Sequence, residues 1–109
     1  MNKNLLVSLG SIVASMLMVL AFNASEMFLS FSVVVLALLK HRVLPIRKEL
    51  SWYLLILTGG ALVEIVLVNI GNAWTYTNPQ FLGIPIYMPL FWGVIGTAII
   101  SFYHEFEKE

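Results

Sequence analysis

Glu64 is the one carboxylate set within the long apolar stretches of this 109-residue chain. Downstream of it stand Asn69, Trp74, Tyr76, Tyr87 and Trp92, residue types suited to lining a pocket. A carboxyl group held among apolar side chains can act as a general acid or a proton carrier, and Trp74, Tyr76 and Tyr87 could cap such a site. The same residues suit a structural role equally well. A protonated glutamate hydrogen-bonded to a serine or tryptophan holds apolar helices, or a neighbouring subunit, in register. No second carboxylate is expected at comparable depth, so the catalytic inventory is thin and both roles stay open. Asn69, one turn further along, carries the same ambiguity.

The elements that must position these groups follow from composition. Hydrophobic residues make up 60% of the chain and charged residues 11%, with a mean hydropathy of +0.90, far from the balance of a soluble domain. The expected class is an all-α integral membrane protein. Cysteine is absent, which removes disulfides and thiolate metal sites, and a formal charge of zero removes any argument for nucleic-acid binding. No internal repeat or linker interrupts the chain, so one transmembrane helical domain is expected over residues 1–109, with spans over about 5–22, 25–40, 52–70 and 85–103.

The first span is an uncharged run; a secretory signal peptide competes for it, but cleavage after Ala24 would place Phe22 where a small residue is wanted. Asn23 to Glu26 then form a polar turn, with Ser25 expected as N-cap and Glu26 in the first helical turn. The second helix has an uncharged run of only thirteen residues, Met27 to Leu39, roughly 20 Å of rise, so Glu26 and Lys40 would have to reach the interfaces for it to span. Lys40, His41, Arg42, Arg47 and Lys48 crowd the next loop, where Pro45 discourages helix and Glu49 is the only acid. Trp52 and Tyr53 mark the entry of the third span, and Gly71 and Asn72 its end.

Orientation follows from parity and charge. Four crossings put both termini and the basic loop on one side with all six Lys and Arg residues, which the positive-inside rule makes cytoplasmic. The segment 71–84 is then an extracytoplasmic loop, rich in aromatics and proline, expected to be an ordered cap at the membrane surface. Asn23-Ala24-Ser25 matches a glycosylation sequon on the same side, close to the membrane.

Depth sharpens the question about Glu64. It lies twelve residues beyond Trp52, roughly 18 Å into a core about 30 Å thick. An ionised carboxylate there costs about 2.5 to 3.5 kcal/mol on insertion scales, so the side chain must face protein or a water pocket. Counting inward on the other spans places Ser15, Ser30 or Ser32, and Trp92 or Gly93 at similar depth, and these are its expected partners. Gly59, Gly60, Ala61, Gly93, Gly96, Thr97 and Ser101 are expected to let helices approach closely. His41 and His104, the only histidines, fall a membrane width from the aromatic loop, which argues against a metal or haem site, and no cofactor is expected.

Taken together, Glu64, Gly71, Trp74, Tyr76, the run Leu82-Gly83-Ile84-Pro85, Pro89 and Trp92 form an order of residues that resembles a known pattern. It is similar to the glutamate, aromatic and GxP…P…W pattern of the integral-membrane carotenoid-biosynthesis family that includes bisanhydrobacterioruberin hydratase, and more distantly to lycopene cyclase domains. The resemblance covers about thirty residues. The family's enzymes are longer, and the proline followed by paired acids that marks the cyclases is missing here. What it implies is a lipid-modifying enzyme with Glu64 as acid and an isoprenoid or carotenoid as ligand.

Two function classes result. One is a small non-catalytic accessory subunit that packs against and stabilises a larger multi-subunit membrane complex, such as a membrane oxidoreductase or monooxygenase, with Trp74, Tyr76, Tyr87, Trp92 and Asn69 as interaction residues. The other is an enzyme for an isoprenoid or other lipid using Glu64. Size and the single buried carboxylate favour the subunit. A transporter comes third, since neither an inverted repeat nor a broken-helix pair is present.

Overall fold

A computed structural model describes residues 2–22, 25–72, 76 and 82–108. They form four helices: α1 (Lys3–Phe22), α2 (Glu26–Val43), α3 (Glu49–Asn69) and α4 (Tyr87–Lys108). Among the described residues, two helical stretches, Lys3–Ala21 and Glu49–Asn69, are long and apolar enough to cross a membrane.

Helix ends differ from the expected boundaries for local reasons. α2 does not stop at its last apolar residue; it continues through Lys40, His41 and Arg42, and the carbonyl end of a helix favours the cations Lys40 and Arg42. Its 18 residues give about 27 Å of rise. Leu44, held at φ −141° and ψ 74° before Pro45, ends it. Ser25 occupies the N-cap position in extended conformation, but its side chain makes no capping hydrogen bond; only Glu26 in the first turn favours that end. α4 starts at Tyr87, so Pro89 falls in the first turn, where a backbone N–H has no helical partner to lose. It runs on to Lys108, drawing the charged tail into the helix.

α4 is the hub: it packs against α1, α2 and α3, while α1 and α2 also pack on each other. It buries Tyr87, Met88, Gly93, Val94, Thr97, Ala98, Ser101 and Glu105. Tyr87, Met88 and Val94 join Leu29 and Val33 of α2 in the main core, and a smaller cluster unites Ala61 and Val68 of α3 with Ile84. α1 buries Leu5 together with Ser8, Ser11 and Ser15. Each of those serines donates to a carbonyl of its own helix, on Leu5, Val7 and Ile12, so the stripe is small in volume yet hydrogen-bonded. Such a stripe lets helices approach closely.

The α3–α4 contact depends on glycine. A Cβ on Gly60 would stand 2.6 Å from Trp92 Cγ, one on Gly93 2.6 Å from the Tyr53 ring, and one on Gly96 2.5 Å from Ile56 Cγ2. As numbering climbs through Ile56, Gly60 and Val68, the partners fall through Gly96, Trp92 and Gly83, so the two helices run antiparallel. Gly59 has open space around it and takes no part in this packing, although it neighbours Gly60. The rest of α3 turns outward: Leu54, Leu55, Leu62, Val63 and Val66 are exposed.

At the other end of α3 the turn from α2 is pinned by Glu49. Its carboxylate accepts from Lys40 Nζ at 3.0 Å and from the Ile46 N–H at 3.0 Å, and it pairs with His41 Nδ1 at 2.9 Å. Both Lys40 and Glu49 are buried, and Lys48 at φ 57° makes the turn into α3.

The glycine packing makes a clear prediction. Gly93→Ala and Gly96→Ala each destabilise the purified protein by about 1 to 3 kcal/mol through overpacking. Gly59→Ala leaves it unchanged or slightly more stable. Thermal unfolding followed by circular dichroism checks the contrast, and equal effects at Gly59 and Gly96 would contradict the packing described.

Candidate functional site

Glu64 projects from the buried face of α3, three residues beyond Ala61 and four before Val68, and is only 4% exposed. Its partner comes from the segment between α3 and α4. The Tyr76 hydroxyl donates to the carboxyl and stands 3.1 Å from both Oε1 and Oε2. Tyr76 is itself half-buried and packs against both apolar clusters, so the ring fills the junction of the two cores while its hydroxyl reaches the acid.

Two further aromatics close on the same point. Trp92 sits in the second turn of α4, its ring against Gly60, which has no side chain to obstruct it. The indole lies near enough to Glu64 to interact with its carboxyl, yet the buried Nε1 completes no hydrogen bond of good geometry. The geometry decides the matter: Trp92 is a neighbour of the carboxyl and Tyr76 is its hydrogen-bond donor. The buried Tyr87 joins Leu29 of α2 in the main core, with Tyr76 and Trp92 packed against the same cluster, so the first half of α2 lies at this end of the bundle.

The expected partners therefore divide. Trp92 is present and Tyr76 and Tyr87 converge with it, whereas Ser15 donates to Ile12 within α1 and Ser32 to Phe28 within α2. Ser30 Oγ is buried and without a hydrogen-bond partner, as is Ser101 Oγ. Trp74 lies outside the described residues, as do Asn23 of the sequon and most of the aromatic loop. Asn69 is a tie between elements: its Nδ2 donates to Ile65 O at 3.0 Å and to Leu82 O at 2.6 Å. The chain at Leu82 and Gly83 has φ of 48° and 92°, and a Cβ on Gly83 would crowd Asn69 at 3.0 Å. Glycine is required at that bend.

What this arrangement can do is limited by what surrounds it. One hydroxyl already addresses both carboxyl oxygens, and among the described residues Glu64 is absent from the walls of three apolar furrows on the bundle surface, those beside Leu54, Pro45 and Phe31. Among the described residues no three His, Cys, Asp or Glu side chains come together to hold a metal ion. His41 is engaged with Glu49, and His104 is exposed beside Tyr103. The Lys40–His41–Glu49 cluster is the polar constellation that the sequence did not single out. Its signal was there in a lone acid placed just after a turn of five basic residues.

The Tyr76–Glu64 contact predicts a measurable coupling. In a double-mutant cycle with Tyr76→Phe and Glu64→Leu, each single change lowers stability by about 1 to 2 kcal/mol, and the pair together lowers it by clearly less than the sum. Strict additivity would mean that the two side chains do not interact.

Comparison with known proteins adds no precedent for this site: no family model matches the chain, and neither a curated protein nor a solved structure does.

Proposed function

We propose that the chain is a small non-catalytic integral membrane subunit that packs against and stabilises a larger membrane complex, for example a membrane oxidoreductase or monooxygenase. The observation that carries this reading is the closure of Glu64. The one acid in the middle of the apolar helices is buried, held by Tyr76 from its own chain, and opens onto none of the described furrows. Such a group holds structure together and presents little to a substrate. Further support comes from α3, which is held along one side by α4 while Leu55, Leu62, Val63 and Val66 face outward. That surface suits lipid and the helices of a partner.

In this reading all four helices cross the bilayer. Both termini and the α2–α3 turn lie in the cytoplasm with the six cations, and residues 71–84 lie outside. A cysteine placed at Leu44 is then labelled only from the cytoplasmic face and one placed at Asn78 only from the outer face. The reverse pattern would overturn the topology.

A second function is favoured by one specific observation, the convergence of Tyr76, Tyr87 and Trp92 on Glu64. A lipid enzyme of the carotenoid-biosynthesis type would place an acid among aromatic rings in this way. Replacing Glu64 separates the two functions. Glu64→Gln keeps the shape and can still hydrogen-bond but cannot ionise. The subunit reading expects Glu64→Gln to keep assembly and the activity of the host complex, and Glu64→Leu to weaken assembly by about 1 to 2 kcal/mol. Normal assembly of Glu64→Gln with turnover lowered by about two orders of magnitude or more would decide for the enzyme. Purification in mild detergent gives the companion test: the subunit elutes with larger membrane proteins in fixed proportion, and a lone chain that converts an isoprenoid ends the subunit proposal.

A further inference from the structure

The α2–α3 pair is joined at one end and open at the other. Glu49 pins the turn through Lys40 and His41, but α2 and α3 do not pack along their length; each lies on α4 instead. The gap between them is an apolar furrow of about 390 Å³ whose walls include Val34, Leu38, Leu50, Tyr53, Leu57 and Leu90. That volume falls within the range of roughly 300 to 1,000 Å³ typical of small-molecule sites. From Glu49 to Leu57 the wall rises about 12 Å, close to half of a hydrocarbon core of about 30 Å, and midway along it Tyr53 bridges to the α4 wall, its hydroxyl donating to Leu90 O at 3.2 Å.

A second furrow runs along the other side of the same ridge. It measures about 690 Å³, shares Leu38 and His41 with the first, and is completed by Val35, Leu39, Arg42 and Pro45. Two apolar channels thus descend on either side of Leu38 from one polar edge. That edge is basic. Arg42, Arg47 and Lys48 are exposed and form no ion pair among the described residues, while Glu49, the one acid of the turn itself, is buried and paired with Lys40; at the same end of the bundle α4 carries Glu105, which is buried and pairs with Lys108, and the exposed Glu107.

We propose that the paired furrows and the basic α2–α3 turn form a site for an anionic diacyl phospholipid, with one acyl chain in each furrow and the phosphate against Arg42 and Lys48. The inference rests on the membrane setting of the proposed function but on neither of its two roles for Glu64. Charge complementarity selects the headgroup: the free cations favour a phosphate with net negative charge over a zwitterion, and Glu49 does not oppose it because its own charge is matched inside the turn. The two channels select the tail, because a single-chain amphiphile would leave one of them open. A lipid seated there fills the gap between two helices that do not pack along their length.

The test is native mass spectrometry of the full chain from mixed micelles holding equal amounts of long-chain phosphatidylglycerol and phosphatidylcholine. The expected result is one retained phosphatidylglycerol per chain, favoured at least tenfold. Arg42→Gln and Lys48→Gln each lower its retention by about fivefold while leaving phosphatidylcholine unchanged. Leu54→Trp, which fills the first furrow from an exposed position, abolishes retention, and Leu62→Trp, exposed on α3 away from the furrow, preserves it. Should Leu54→Trp fail to fold, the native chain decides: dibutanoyl phosphatidylglycerol, which has the headgroup but no chains to fill the furrows, fails to displace the long-chain lipid. Equal retention of the two lipids, displacement by the short-chain form, or full retention by folded Leu54→Trp would overturn the site. A carbonate wash separates the two levels of failure. Release of the chain from membranes removes the membrane setting and the lipid site with it, whereas a chain that stays embedded yet does not discriminate lipids removes the site alone.

Discussion

The close approach of α3 to α4 is the contact on which the rest of this bundle depends. Where helices lie among other apolar groups, water supplies no drive for association, and van der Waals contact at short range must hold them. Gly60, Gly93 and Gly96 provide that range by leaving room for Trp92, Tyr53 and Ile56 against bare backbone. The consequences spread in both directions along α3. Towards its C-terminal end, Trp92 seated on Gly60 brings an indole beside Glu64 and leaves Tyr76 as the donor; towards its start, Tyr53 seated on Gly93 closes the furrow beneath the α2–α3 turn.

How much of this could be read from the sequence depends on what kind of information each feature carries. Helix existence was legible because runs of apolar residues between polar breaks have few alternatives. Glu64 and its aromatic neighbours were legible because a carboxylate in such a run has to be satisfied. Depth counting then found Trp92 but also offered Ser15 and Ser32, which face elsewhere: residue number fixes height along a helix, while the direction of a side chain around it depends on packing. The central place of α4 was hidden for a related reason. Its buried face is marked largely by small residues, Gly93, Thr97, Ala98 and Ser101, and such residues mark a packed face only in part, as the adjacent Gly59 and Gly60 of α3 show. The Lys40–Glu49 pair was missed because a basic loop invites a reading in terms of topology, and Glu49 is then counted as an exception to it.

Glu64 and Glu49 are two answers to one problem, the burial of a carboxylate. Glu49 is matched by a buried cation in the same turn, so the charge is neutralised where it stands. Glu64 has no cation and relies on a phenol and an indole, which can bond to or lie beside it but cannot cancel a charge. The first arrangement fixes a turn. The second ties Tyr76, from the connection between α3 and α4, back to the helix that the chain has just left.

The position of α4 as the element touching all the others sets an order of assembly during synthesis. α1 and α2 can pair as soon as both have emerged, because they contact each other directly. α3 has no such neighbour and must wait, exposed along nearly its whole surface, until the last helix arrives. Its high apolarity, a mean hydropathy of 1.9 against an interior share of only 11%, makes it long and apolar enough to cross a membrane, and a helix of that kind can wait in lipid without a partner. A ribosome stalled between the third and fourth helices would therefore hold a paired hairpin and a solitary helix, and the bundle would close only when the keystone, made last, slid between them.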